Sequence, residues 1–254
     1  MSVREGVSEG EVSWLDLWTS DVAGSRGFYC SLFDWEAQQP SEVFGGYWMF
    51  TRAGVPIAGG MGDMGDDAAD DTWKIYLATP DLAASVARAE QRGADVLSPP
   101  TPVADMGHQA VLRDPTGATL GLWEPGTFQG LSVLAEHGAP CWFELHARDY
   151  EAAVAFYRDV FHLGATVMSD DDDLRYTTLS VDGREVAGVL DAATRLGDAP
   201  SRWVVYWQVD DVDLALSRVA QLGGTVRQAA SDSPYGRVAA VADPAGAEFN
   251  LLSV

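Results

Sequence analysis

The chain repeats itself. Laying VSWLDLWTSDVAGSRGFYCSLFDW, from Val12, over APCWFELHARDYEAAVAFYRDVFHL, from Ala139, brings Trp14 onto Trp142, Asp21 onto Asp149, and Phe28-Tyr29 onto Phe156-Tyr157. Three further blocks follow in the same order. YWMFTRAGVPIAGGM from Tyr47 matches YTTLSVDGREVAGVL from Tyr176, and WKIYLATPDLAASVARAEQRGA from Trp73 matches WVVYWQVDDVDLALSRVAQLGG from Trp203. GHQAVLRDPTGATLGLWEP from Gly107 matches GRVAAVADPAGAEFNLLSV from Gly236. Four blocks at offsets of 128 to 130 make two homologous domains the economical solution for 254 residues. We read a tail over 1–10, domain one over 11–126, a linker over 127–138 and domain two over 139–254.

Within each domain a finer twofold pattern recurs: an alternating strand, an acidic helix start, an apolar helical stripe, then further strands. Asp21, Asp81, Asp149 and Asp211 stand where a helix N-cap is expected, and Gly93 where a helix stops. The DPTGA and DPAGA segments read as turns before a final strand. Each domain is therefore expected to hold two β-α-β-β-β units, an α+β fold.

These motifs carry a resemblance. The strand-Asp-helix blocks ending in Phe28-Tyr29 and Phe156-Tyr157, the AGG and AGV turns after Ile57 and Val186, and both DPxGA turns resemble the vicinal oxygen chelate superfamily. That superfamily groups glyoxalase I, bleomycin-resistance proteins and extradiol dioxygenases; the likeness is to its two-domain hydroxylase or glyoxalase-like branch, over about residues 11 to 252. It implies tandem domains, each a curved, cavity-enclosing mixed sheet. Members of this fold include metal enzymes and metal-free binders, so the fold alone sets no activity.

The resemblance also supplies a test for a metal. It implies a ligand seven positions before each capping aspartate and another four after the Gly of each DPxG turn. Here those positions hold Trp14, Trp142, Lys74, Val204, Gly121 and Asn250. A divalent ion needs several N, O or S donors converging on one point, which indole, ammonium and Val do not supply. No metal and no other cofactor is expected. The ligand types that remain on the same strands, Asp16, Glu144 and His146, leave a residual metal route.

Strand alternation places residues two apart on one face. If the implied ligand positions face the cavity, Trp14, Asp16 and Trp18 line it in domain one, and Trp142, Glu144 and His146 in domain two. Leu15, Leu17, Phe143 and Leu145 then form the helix-packing face. An acidic residue recurs at Asp16 and Glu144, so it reads equally as a strand-tying group and as a ligand contact. His146 has Trp18 as its repeat partner. The fold does not demand an imidazole there, and a neighbouring carboxylate suits it to acid-base work near neutral pH. Glu144 and His146 are the candidate catalytic pair. The candidate ligand contacts are Trp14, Asp16, Trp18, Tyr47, Lys74 and Tyr76 in domain one, and Trp142, Tyr176, Tyr206, Gln208 and Asn250 in domain two. Lys74, the one lysine, reads either as a nucleophile or as a snorkelling edge residue. His108 and His137 read as solvated.

Charge removes other classes. Thirty-eight acidic against sixteen basic residues give a net charge of −22, which opposes binding to nucleic acid or to an anionic membrane. No apolar run approaches the ~20 residues of a membrane span. Cys30 and Cys141, far apart in sequence, suggest neither a disulfide framework nor a metal knuckle, and fit a reducing cytoplasm. Two function readings stand. One is a metal-independent pocket protein that holds a hydrophobic or aromatic metabolite, through antibiotic sequestration or as a pathway intermediate. The other is an enzyme of specialised metabolism in which Glu144 and His146 move a proton during cyclisation, isomerisation, ring opening or a hydroxylase-type step. A regulatory or scaffold role is a third class. Fused domains supply internally the pairing that single domains get by dimerising, so a monomer or a homodimer is expected.

Overall fold

A computed structural model describes residues 6–62 and 71–254. The first half runs β1 (Val12–Thr19), α1 (Val22–Phe33), β2 (Glu36–Ala37), β3 (Trp48–Arg52), β4 (Val55–Gly62), β5 (Thr72–Ala78), α2 (Leu82–Gln91), β6 (Asp95–Val103), β7 (Gly107–Arg113) and β8 (Thr119–Pro125). The second runs β9 (Pro140–Ala147), α3 (Tyr150–Phe161), β10 (Gly164–Asp170), β11 (Arg175–Val181), β12 (Arg184–Asp191), the short α4 (Ala193–Leu196), β13 (Arg202–Gln208), α5 (Val212–Gln221), β14 (Thr225–Ser233), β15 (Gly236–Ala242) and β16 (Glu248–Ser253). The tail expected over 1–10 falls partly outside the described residues. Its visible end is tied down, with Gly10 N donating to Ala78 O at 2.9 Å and Glu9 paired with Arg88 at 2.6 Å.

Four aspartates turn strands into helices, as the sequence predicts. The side chains of Asp21, Asp81, Asp149 and Asp211 accept from the amides of Gly24, Ala84, Ala152 and Leu214 at 2.9 to 3.1 Å, satisfying one otherwise orphaned donor each. Gly93, at φ +89°, closes α2 from the left-handed region that glycine enters without steric cost.

The strand order is the same in both sheets: β2-β3-β4-β1-β5-β8-β7-β6, and β10-β11-β12-β9-β13-β16-β15-β14. Each is an open eight-stranded mixed sheet in which β1 runs parallel to β4 and antiparallel to β5, with the same relations around β9. The AGG and AGV segments are not turns. They lie inside β4 and β12, where Gly59 pairs with Asp16 and Gly188 with Glu144.

The two sheets turn their apolar faces toward each other. Leu15, Leu17 and Leu145 are fully buried, together with Tyr29 and Phe33 of α1 and Tyr157 and Val160 of α3. Aromatic rings cross the boundary: Trp207 lies 5.0 Å from Trp35 and 5.1 Å from Trp73, and Tyr29 lies 5.6 Å from Phe249. The recurring FY and DPxGA motifs meet here. Tyr157 donates to Asp114 Oδ2 at 2.8 Å and accepts from Trp203 Nε1 at 3.0 Å. In the mirrored arrangement Tyr29 accepts from Trp73 Nε1 at 3.0 Å, while Ser25 donates to Asp243 at 3.2 Å. Each half thus lends an aspartate to the other's helix, and the opposite faces of both sheets are left for a site.

Candidate functional site

A group of four residues recurs on the two outward faces. In domain one it is Trp14, Asp16, Tyr47 and Tyr76; in domain two, Trp142, Glu144, Tyr176 and Tyr206. Asp16 is buried and its Oδ1 accepts from Trp14 Nε1 at 3.0 Å and from the Tyr47 hydroxyl at 2.8 Å. Trp14 Nε1 is also 2.9 Å from the Tyr47 oxygen. Burial is the main cause that pushes the Asp16 carboxyl up to about 6; hydrogen bonds from Tyr47, Tyr76 and Trp14 and the charge of Lys74 pull the other way. Burial, reinforced by Asp16, holds the Tyr47 and Tyr76 hydroxyls well above their ordinary range, so both stay protonated and donate.

Glycine makes this packing possible. A Cβ on Gly59 would overlap the Tyr47 hydroxyl and Asp16 Oδ1, and one on Gly188 would overlap the Tyr176 hydroxyl. The AGG and AGV segments therefore clear space for a tyrosine lying across the neighbouring strand.

Domain two builds the same floor with a longer acid. Glu144 Oε1 accepts from the Tyr206 hydroxyl at 2.8 Å and lies 2.8 Å from His146 Nε2, while Trp142 Nε1 donates to the Tyr176 hydroxyl at 2.9 Å. Burial and the nearby Glu144 push both tyrosine hydroxyls up. Glu144 and His146 are both buried. The other ring nitrogen of His146, Nδ1, is buried and without a hydrogen-bond partner. Asn250 pairs with Tyr206 across β13 and β16 and hydrogen-bonds its hydroxyl. Gln208 ends β13 on the same face, beyond this cluster.

Domain one carries a cavity of about 300 Å³ above its floor. Trp14, Asp16, Trp18, Tyr47 and Tyr76 line it. Its walls add Met49, Met61, Met106, Trp123, Phe128 and Gln109. Alternation from Tyr47 and from Gly121 could have found Met49 and Trp123. Phe128 comes from the linker and packs edge-on against Trp14 with ring centroids 4.8 Å apart. Lys74 sits beside the lining, its Nζ 3.7 Å from the Trp18 ring centroid. A wider cleft of about 530 Å³ near Thr116, Arg148 and Arg175 is open, and its chief cation is engaged: Arg175 bonds Asp170 at 2.7 Å and Asp191 at 3.4 Å. His108 and His137 lie apart from both floors, within 3.6 Å of Glu124 and 3.3 Å of Asp210.

Two family models match the chain. A Glyoxalase-like domain covers residues 14–122, and the Glyoxalase/Bleomycin resistance protein/Dioxygenase superfamily covers residues 141–251. CFP32 of Mycobacterium tuberculosis (strain CDC 1551 / Oshkosh) is 32% identical, over 99% of this chain and 98% of its own. Anthracycline biosynthesis protein DauV of Streptomyces sp. (strain C5) is also 32% identical, over 96% and 94%. Among solved structures, the Mn(II)-bound glyoxalase from Novosphingobium aromaticivorans superposes with a TM-score of 0.69 at 15% identity, over 97% of this chain and 82% of that one. That last likeness is one of fold.

A metal-bound neighbour invites a test of the donor set. The positions that the family resemblance assigns to ligands carry Trp14, Lys74 and Gly121 in one domain and Trp142, Val204 and Asn250 in the other. The space a side chain would take at Gly121 is filled by the Tyr76 ring. Among the described residues no three His, Cys, Asp or Glu side chains gather into a group that could hold an ion. These residues do not fit a divalent cation. The shared motifs, the repeated topology and the matched relatives agree: this chain belongs to the Glyoxalase/Bleomycin resistance protein/Dioxygenase superfamily.

Proposed function

We propose that the chain binds a flat, hydrophobic aromatic metabolite in the cavity of domain one, without a metal, and serves specialised metabolism. The cavity itself carries this reading. Its volume lies at the small end of the ~300–1,000 Å³ range of ligand pockets, and its walls are indole, phenyl and thioether groups that suit stacking. Its polar floor is bonded to itself, so Asp16 and Tyr47 keep the pocket's shape rather than wait for a substrate. The likeness to an anthracycline biosynthesis protein supports the metabolic setting. The reading extends to a cytoplasmic monomer or homodimer, and the free thiols of Cys30 and Cys141 support the compartment. Titrating the purified protein with three-ring aromatics should quench tryptophan fluorescence saturably, with no product formed and no stoichiometric metal by elemental analysis. A required metal, or no quenching by any planar aromatic, would overturn it.

One observation favours a second reading. Glu144 and His146 form a buried pair 2.8 Å apart, a combination of groups that suits an acid-base enzyme acting in domain two. Conversion of a bound metabolite, abolished in His146→Ala but retained in Trp18→Phe, would favour this reading over pure binding.

A further inference from the structure

The polar side chains that line the domain-one cavity are, with one exception, engaged with protein or sealed in. Asp16 Oδ1 accepts from Trp14 Nε1 and from Tyr47, the Tyr76 hydroxyl bonds Asp16, and Trp123 Nε1 donates to Phe128 O at 3.1 Å. Trp18 Nε1 is shut off from solvent. The exception is Gln109, a half-buried residue of the same lining. Among the described residues nothing hydrogen-bonds its carboxamide, and neither end of that group is sealed from solvent.

Strand register fixes the direction in which Gln109 points. Ala110 and Leu112, at odd spacing from it along β7, are fully buried on the core face, so Gln109 stands on the opposite, cavity face. Across the antiparallel pair it lies directly opposite Trp123 of β8, itself part of the cavity wall, and directly opposed residues share a face. The repeat adds a second observation. Gln109 aligns with Val238, which lies opposite Leu252 in the same register. Domain two thus carries an apolar pair where domain one sets a carboxamide beside an indole, and the fold itself demands no polar group there.

The geometry points to an uncharged phenol as the ligand class, its hydroxyl hydrogen-bonded to the Gln109 carboxamide while its fused rings pack among the cavity's aromatic and methionine side chains. A carboxamide both donates and accepts, and so does a hydroxyl, so the two match in either direction. The chain's net charge of −22 disfavours an anionic ligand in the same place. This inference rests on the proposal that the domain-one cavity binds aromatic molecules. Gln109 is the specificity-determining residue in it.

Fluorene and 2-hydroxyfluorene test it, since they are flat three-ring molecules that differ by one hydroxyl. Their affinities for the full-length protein are measured calorimetrically in matched cosolvent, for wild type and for Gln109→Met, which keeps the length of the side chain and removes the carboxamide. Comparing the ratio of the two affinities between the proteins cancels the difference in hydrophobicity between the ligands. That ratio should favour 2-hydroxyfluorene about fivefold more in wild type than in the variant, equivalent to about 1 kcal/mol, with fluorene affinity unchanged within about twofold. Gln109→Leu should reproduce the result, and it replaces the first variant should that one fail to fold. An equal ratio in wild type and variant overturns the assignment of Gln109 and leaves the aromatic pocket standing. Binding of neither compound by wild type overturns the pocket reading and this inference together.

Discussion

Asp16 should make this fold less stable as pH rises through its titration, the reverse of a salt-bridged surface carboxylate. Its carboxyl is raised, chiefly by burial, from an ordinary 3.8 to about 6. The folded state therefore holds the Asp16 proton more tightly than the unfolded chain does. The stabilisation is fully present below the unfolded value of 3.8 and is lost as pH climbs through the folded value of about 6. At about 1.4 kcal/mol per pH unit, the gap of roughly two units corresponds to about 3 kcal/mol for the complete titration, and about 2 kcal/mol of it lies between pH 4.5 and 7.5. Asp16→Asn removes the titration while keeping an oxygen to accept from Trp14 and Tyr47. Urea unfolding of both proteins across that range isolates the effect. Other shifted groups are present in both chains and cancel, including buried Asp114 and Asp243, which are raised, and half-buried Asp159 and exposed Asp171 and Asp213, which are lowered. The stability of wild type relative to Asp16→Asn should fall by about 2 kcal/mol from pH 4.5 to 7.5. A difference that stays flat, or one that grows with pH, refutes the buried-acid argument.

Other perturbations follow from the same packing. Trp207→Ala empties a fully buried site at the contact of the two halves and should cost about 3–5 kcal/mol, read as a lower urea midpoint. Tyr157→Phe leaves Asp114 Oδ2 and Trp203 Nε1 without their shared partner and should cost about 1–3 kcal/mol by the same assay. Gly59→Ala and Gly188→Ala each force a tyrosine off its strand, at about 1–3 kcal/mol, yet only Gly59→Ala should abolish aromatic binding in the fluorescence titration.

Much of the architecture is legible because a repeat is a strong constraint. The offset between blocks predicts the shared strand order, and alternation from Trp14 and Trp142 correctly assigns Leu15, Leu17 and Leu145 to the buried face. The capping aspartates are legible because a cap is a local interaction, spanning three residues. The AGG and AGV segments mislead for the opposite reason. Small residues in a row look like turns, whereas the need for them is set by tyrosines one strand away in space. Alternation likewise places Asp16 and Glu144 together with the residues beside them, but it gives no hint that the cavity is shaped by Met106, after β6, and Phe128, from the linker. Nor does spacing reveal that the lone lysine rests on Trp18, since that depends on side-chain rotamers across two strands.

The central claim, that domain one holds the ligand, is tested most directly by mapping a binding stoichiometry onto variants of the two floors. Calorimetric titration with 9-fluorenone would be run on wild type, on Met49→Trp, which fills the domain-one cavity, and on His146→Ala, which alters domain two. We predict one site per chain, lost in Met49→Trp and unchanged in His146→Ala. Binding that survives Met49→Trp and disappears in His146→Ala would contradict the account and move the ligand to Glu144 and His146.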